Sequence, residues 1–210
     1  MERHFRWLLL SGAVLLVAMA VLRMTMPRGP VETAAPMPVL HEVGAFSVTN
    51  AAGVPFGLED LGGRPWAVNL IFTRCPGPCA QLTGVMRSVQ ERLPAGSRAG
   101  LMTLTSDPEY DTPAVLRAYG SKFGADGSRW HFVTGTRAEI RRLAIERLLL
   151  VLQDIPEEER QSPDDLFLHS TAIVLLDGQG RWRGTMEGLE PGAAERVVEA
   201  LRMLESEGRR

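Results

Sequence analysis

A sheet flanked by helices is the fold class this 210-residue sequence predicts, and three observations predict it. Helix-period and strand-period segments alternate through the middle of the chain. The run Trp66 to Phe72 is apolar throughout except for Asn69, as expected of a strand buried on both faces. Near the C-terminus, Asp177-Gly178-Gln179-Gly180 separates two strand-like runs and reads as a hairpin turn.

The elements follow in order. Ala45 to Thr49 and Val54 to Leu58 are short strands joined by the turn Asn50-Ala51-Ala52-Gly53. After the turn Leu61-Gly62-Gly63-Arg64-Pro65 comes the buried strand Trp66 to Phe72. Gln81 to Leu93 carries Leu82, Val85, Met86, Val89 and Leu93 at helical spacing. Leu101 to Thr105 is a strand. Asp111-Thr112-Pro113 is a helix-start signature, a capping side chain before a proline, for a helix over Ala114 to Phe123. Trp130 to Val133 is a strand and Thr136 to Leu149 a helix. Gln153 to Phe167 is acidic and turn-rich, hence a surface loop. Thr171 to Leu176 and Arg181 to Met186 form the hairpin, and Ala193 to Leu204 the last helix. Strands alternating with helices and closed by a hairpin make a mixed α/β sandwich of the thioredoxin type, over residues 45–206.

The N-terminal part belongs to a different class. Trp7 to Leu22 is uncharged and nearly all apolar, bracketed by Arg6 and Arg23. As a helix it covers roughly 24 Å, and Phe5 with Met24 to Met26 extends it toward the ~30 Å of a bilayer core. Residues 1–25 therefore read as a signal anchor, a single transmembrane helix; Ala18-Met19-Ala20 keeps a cleaved signal peptide as the alternative. Residues 26–44, with Pro27, Pro30, Pro36 and Pro38, read as an extended tether. A short N-terminal tail places the anchor in the inner membrane and the domain on the periplasmic, exported side. The net charge of −2, with arginines interleaved among acids, leaves no basic footprint for nucleic acid.

The two cysteines of the chain, Cys75 and Cys79, lie where the buried strand feeds a helix N-terminus. Unsatisfied N–H groups and the positive end of the helix dipole favour thiolate there. Thiolates are soft ligands and good nucleophiles, so the pair suits a soft metal, disulfide exchange, or both. A structural disulfide closing so short a loop would contribute only about 2 kcal/mol. Thiol–disulfide oxidoreductases of this fold use Cys-x-x-Cys, whereas three residues intervene here and let the sulfurs spread around an ion. Two thiolates and a neutral imidazole would make a strong Cu(I) site, and His169, at the mouth of a strand after the acidic loop, is the candidate imidazole. His41 reads as a solvated tether residue and His131 as a strand residue.

Four segments together resemble the Sco/SenC family of membrane-anchored copper proteins. They are Phe72-Thr73-Arg74-Cys75-Pro76-Gly77-Pro78-Cys79, Asp107-Pro108-Glu109-Tyr110-Asp111-Thr112, Thr134-Gly135-Thr136 and His169-Ser170-Thr171. The resemblance implies a thioredoxin-like fold and copper, as Cu(I) and also Cu(II), bound by Cys75, Cys79 and His169. It implies delivery to, or thiol reduction of, the dinuclear copper A centre in subunit II of cytochrome c oxidase. Such a protein is a metallochaperone and not an enzyme. Asp107 and Asp111 match the family's acidic motif and are candidates for supporting the site or docking a partner. Ala80 stands where the family often has proline, and Leu168 where some members have aspartate. A thiol–disulfide oxidoreductase that keeps partner cysteines reduced is the alternative, and a peroxide-reducing or redox-sensing domain a third reading.

Overall fold

The computed structural model describes residues 36–75, 77–162 and 164–208, together with Met19. The anchor, and the tether up to Ala35, lie outside this range. Among the described residues no helix is long and apolar enough to cross a membrane.

Among the described residues ten strands form, β1 (His41–Glu42), β2 (Ser47–Asn50), β3 (Pro55–Gly57), β4 (Trp66–Ile71), β5 (Gly100–Thr105), β6 (Trp130–Thr134), β7 (Leu152–Asp154), β8 (Phe167–His169), β9 (Ala172–Leu176) and β10 (Arg181–Glu187). The helices are α1 (Pro78–Arg92), α2 (Pro113–Lys122), α3 (Arg137–Arg141) and α4 (Ala193–Glu207). Eight strands make one sheet in the order β1-β10-β9-β4-β5-β6-β2-β3. Strands β4, β5 and β6 are parallel, and β9 runs antiparallel to β4. This is the mixed α/β sandwich that the alternation predicts.

Period-two alternation sends each central strand's side chains to two cores. Ala67 and Ile71 of β4 join Leu101, Phe132 and Leu175 beneath α1 and α4. Trp66, Val68 and Leu70 join Met102, Leu104 and Val174 on the opposite face, covered by Ile140, Leu143, Ala144 and Leu148. All six residues of β4 are buried, which explains its unbroken apolar character apart from Asn69. Asn69 accepts a hydrogen bond from Thr103 Oγ1 at 2.7 Å.

Three local differences from the sequence reading have physical causes. The helix expected over Thr136 to Leu149 is α-helical only to Arg141, then widens to a π-helix over Arg142–Arg147. Leu149 follows with φ of 51°, so the chain turns sharply before β7. The acidic loop is not wholly irregular, because β7 and β8 at its two ends pair as a separate two-stranded sheet. The tether also ends sooner than its prolines suggest. Met37 N–H donates to Glu207, Arg183 holds the carbonyls of Met37 and Pro38, and His41–Glu42 pairs with Trp182 and Arg181 at the sheet edge. A buried guanidinium at 6% side-chain exposure recruits backbone carbonyls that composition alone leaves unassigned.

Candidate metal centre

Strand β4 delivers Cys75. The chain leaves Ile71 and turns through Thr73 and Arg74, and Gly77 leads into α1, whose second residue is Cys79. Gly77 caps α1 without a side chain, so no side-chain oxygen competes with the sulfurs for the first-turn N–H groups. Cys79 is buried and Cys75 half-buried; both are free thiols. Phe72 N–H donates to the Cys79 sulfur at 3.5 Å.

His169 arrives from 90 residues away on β8, with Nε2 3.1 Å from Cys79 Sγ. Its Nδ1 lies 3.0 Å from the Ser170 carbonyl oxygen, which can only accept. Nδ1 therefore carries the proton, and in the neutral ring Nε2 presents its lone pair to the sulfurs. Phe72 supports the ring edge-on, at 5.7 Å between centroids, and Phe167 packs against Phe72 in turn. The donor atoms of Cys75, Cys79 and His169 all lie within 4.8 Å of one another.

The two thiols are held in opposite protonation states. The Cys79 S–H hydrogen bond does most to pull Cys75 down to about 4; burial opposes it, and the N–H groups of Gly77 and Cys79 add to the pull. The same hydrogen bond, then burial, pushes Cys79 far up. The pair therefore holds one proton at neutral pH, on the buried sulfur. An arriving soft cation displaces that proton and meets two sulfurs and one nitrogen, a donor set that fits a thiophilic ion of low coordination number.

Asp107 and Asp111 sit beside the cysteine loop and contribute no donor to the group. Asp111, fully buried, accepts from Thr73 N–H at 3.1 Å and from the hydroxyls of Thr73 and Thr105. Burial pushes its carboxyl up, and the three donors offset part of that. Asp107 takes the Arg74 guanidinium at 2.6 Å, and Arg74 stacks on Tyr110 at 4.2 Å. Both acids thus hold the two residues that precede Cys75. Thr73 and Arg74 lie inside the cysteine motif, but Thr105 carried no sequence signal, because its role depends on the turn that brings Asp111 back beneath β5.

The remaining residues singled out in the sequence lie elsewhere. His41 is on β1 with Nε2 buried and unpartnered among the described residues, not solvated, because β1 packs onto β10. His131 stacks on Phe56 and Trp66 at 5.0 and 5.6 Å. Leu168 is 56% exposed, and alternation along β8 turns it away from the His169 side. Thr136 caps α3 and plays no part at the cysteines.

A thioredoxin-like domain with a two-sulfur, one-imidazole pocket at the end of its central strand is a class of thiol and metal-handling protein. The sequence model of the SCO1/SenC family matches residues 35–205, and the chain belongs to that family. A relative from Stutzerimonas stutzeri, named provisionally for copper binding, is 33% identical over 132 residues, 62% of this chain and 61% of the relative. The chain thus spans less than two thirds of that relative's length. A SCO1/SenC family lipoprotein from Bacillus anthracis superposes with a TM-score of 0.70 at 26% identity, over 82% of this chain and 99% of the other. Yeast Sco1 with copper bound superposes at 0.63 with 23% identity, over 79% and 90% of the two chains.

Proposed function

We propose that this protein is a copper chaperone that carries Cu(I) on Cys75, Cys79 and His169 and passes it to the dinuclear copper A centre of cytochrome c oxidase subunit II. The observation that carries the reading is the 3.1 Å approach of His169 Nε2 to Cys79 Sγ, with Cys75 in the same group. Family membership supports the choice of copper and of recipient. Residues 1–25 act as the inner-membrane anchor in this reading, and the domain works on the periplasmic side.

Transfer proceeds by ligand exchange. A thiolate of the recipient attacks the ion, Cys75 leaves first as the better-exposed and less basic sulfur, and His169 and Cys79 follow. Cys79 regains its proton as the ion departs. No electron moves, so the protein needs no catalytic turnover of its own. Copper titration of the reduced protein tests the assignment: Cys75→Ser, Cys79→Ser and His169→Ala each weaken Cu(I) binding, and wild-type affinity in all three would reject the site.

The second reading, a thiol–disulfide oxidoreductase, draws support from the asymmetry of the pair, an accessible thiolate beside a buried thiol. Cys75 would attack a partner disulfide and release one partner thiolate. Cys79, losing its proton, would then resolve the mixed disulfide, leaving Cys75–Cys79 oxidised and the partner reduced. A Cys79→Ser variant traps the mixed disulfide if this happens. Activity that survives His169→Ala separates it from copper transfer.

A further inference from the structure

The buried face of α1 carries one hydroxyl that the metal donors do not use. Cys79, Leu82, Thr83, Met86 and Val89 are the buried residues of the helix, and Thr83 is fully buried. A hydroxyl in such a place costs free energy unless it is hydrogen-bonded. Thr83 Oγ1 donates to the Cys79 carbonyl, one turn back, at 2.7 Å. The same oxygen lies 3.1 Å from the Tyr119 hydroxyl. Thr83 has a single hydroxyl proton and gives it to Cys79, so Tyr119 is the donor to Thr83.

Tyr119 is fixed from its own side. It sits on α2, with its ring 5.0 Å from that of Phe123 and edge-on to Phe132 at 6.1 Å. Gly120, the next residue, lets α2 lie close on β6, since a Cβ there would meet the Phe132 ring at 3.0 Å. Burial pushes the Tyr119 hydroxyl up to about 12, the bond to Thr83 pulls the other way, and the negative charge of the cysteine pair adds to the rise. At neutral pH Tyr119 therefore keeps the proton that it donates to Thr83.

Two hydrogen bonds in line, phenol to hydroxyl to carbonyl, polarise one another. The chain they make ends on the backbone of a candidate ligand. Helix α1 starts at Pro78, so Cys79 lies in its first turn, where helices fray. Its sulfur nevertheless has to stay 3.1 Å from His169 Nε2. The Thr83 hydroxyl gives the Cys79 carbonyl a side-chain partner that a valine of similar shape would not. Asp111, two residues before α2, holds Thr73 on the other flank of the cysteine pair. One helix and its leading turn thus brace the cysteine segment from both ends.

We propose that Tyr119 and Thr83 are positioning residues for Cys79, a relay that fixes the first turn of α1 and keeps the Cys79 sulfur directed at Cys75 and His169. Neither contributes a donor atom to the group. The copper arm of the test rests on the Cu(I) reading above, and the thiol arm does not.

A double-mutant cycle on the full chain tests this. Thr83→Val weakens Cu(I) binding about tenfold and Tyr119→Phe about threefold, while Thr83→Ser, which keeps the hydroxyl, rescues it to within about twofold. In a Cys79→Ser background Thr83→Val has no further effect, because the relay acts through the Cys79 sulfur. An equal loss in both backgrounds marks a merely structural role and would overturn the proposal, as would wild-type affinity in Thr83→Val. The metal-free protein gives the second measurement, with oxidised glutathione. The Cys75 thiolate attacks it and releases one glutathione thiolate; Cys79, losing its proton to solvent, then attacks the Cys75 sulfur and expels the second. Thr83→Val slows this second step about tenfold and leaves the first unchanged, and an unchanged second step rejects the relay. If Cys79→Ser binds Cu(I) as tightly as wild type, the copper reading fails and the glutathione step alone decides the relay. Where Thr83→Val does not fold, Tyr119→Phe, which removes only the donor to Thr83, carries both measurements.

Discussion

Cys75 and Cys79 differ because one proton is shared between two sulfurs of unequal burial. Above a pH of about 4 the Cys75 thiol is ionised, and the Cys79 thiol is not. Alkylation by iodoacetamide, followed by mass spectrometry, should therefore label Cys75 at a rate that stays flat from neutral pH down toward pH 5, while Cys79 stays protected. Oxidation or a bound soft ion removes that reactivity. Asp111 acts one step back, by holding Thr73 and Thr105. Asp111→Ala leaves a buried N–H and two hydroxyls without their acceptor, and each such loss costs about 1–3 kcal/mol. Urea denaturation should register a loss of about 3 kcal/mol, and Cu(I) affinity should fall although no donor atom is changed. The cysteine pair and its helix N-terminus were legible as residues in a row. The Thr105 hydroxyl was not, since nothing local distinguishes it from any strand threonine.

At the scale of elements, the site joins a rigid part to a lightly held one. Strand β4 lies between β9 and β5 with every residue buried, so Cys75 and α1 start from a fixed frame. His169 instead rides on β8, a three-residue strand whose ladder partner is β7. Two short strands alone are marginal in water. Amide exchange over β7 and β8 should therefore run orders of magnitude faster than over β4 and β5, and slow when copper bridges His169 to the cysteines. Leu149, exposed and in the left-handed region, marks the entry to this hairpin. That conformation costs a leucine about 1–2 kcal/mol, so Leu149→Gly should raise stability by about 0.5–1 kcal/mol in thermal unfolding. The periodicity of Thr136 to Leu149 gave the apolar face correctly, with Ile140, Leu143, Ala144 and Leu148 all buried. It could not report the widening to a π-helix, because one extra residue per turn barely changes which side chains face the core.

Across the whole molecule, the N-terminal segment, the hairpin and the end of α4 meet at one buried arginine. Arg183 pairs with Asp177 at 2.9 Å and Glu207 at 2.5 Å while holding the Met37 and Pro38 carbonyls. Burial would push the Asp177 carboxyl up, but the Arg181 N–H and the guanidinium groups of Arg181 and Arg183 outweigh it and hold it below the usual range. A depressed carboxylate contributes stability that is present above the unfolded value near pH 4 and is lost as pH falls through the folded one. Asp177→Asn should therefore cost about 3 kcal/mol at neutral pH and less as the medium is acidified below about pH 4, measured by denaturant midpoints across pH. One end of the sheet thus holds the chain's entry and its α4 terminus, and the other holds the sulfurs.

By itself the sequence determined which residues could make the chemistry and which stretches had to be buried. A helix start, an apolar strand and two thiols close together are local facts, and local patterning encodes them. Only the tertiary structure decided that His169 meets Cys79 at 3.1 Å across 90 residues and that Asp111 lies under Thr73. Those meetings depend on strand order and register, which are set by how the two faces of the sheet bury their side chains together, and no single segment carries that information.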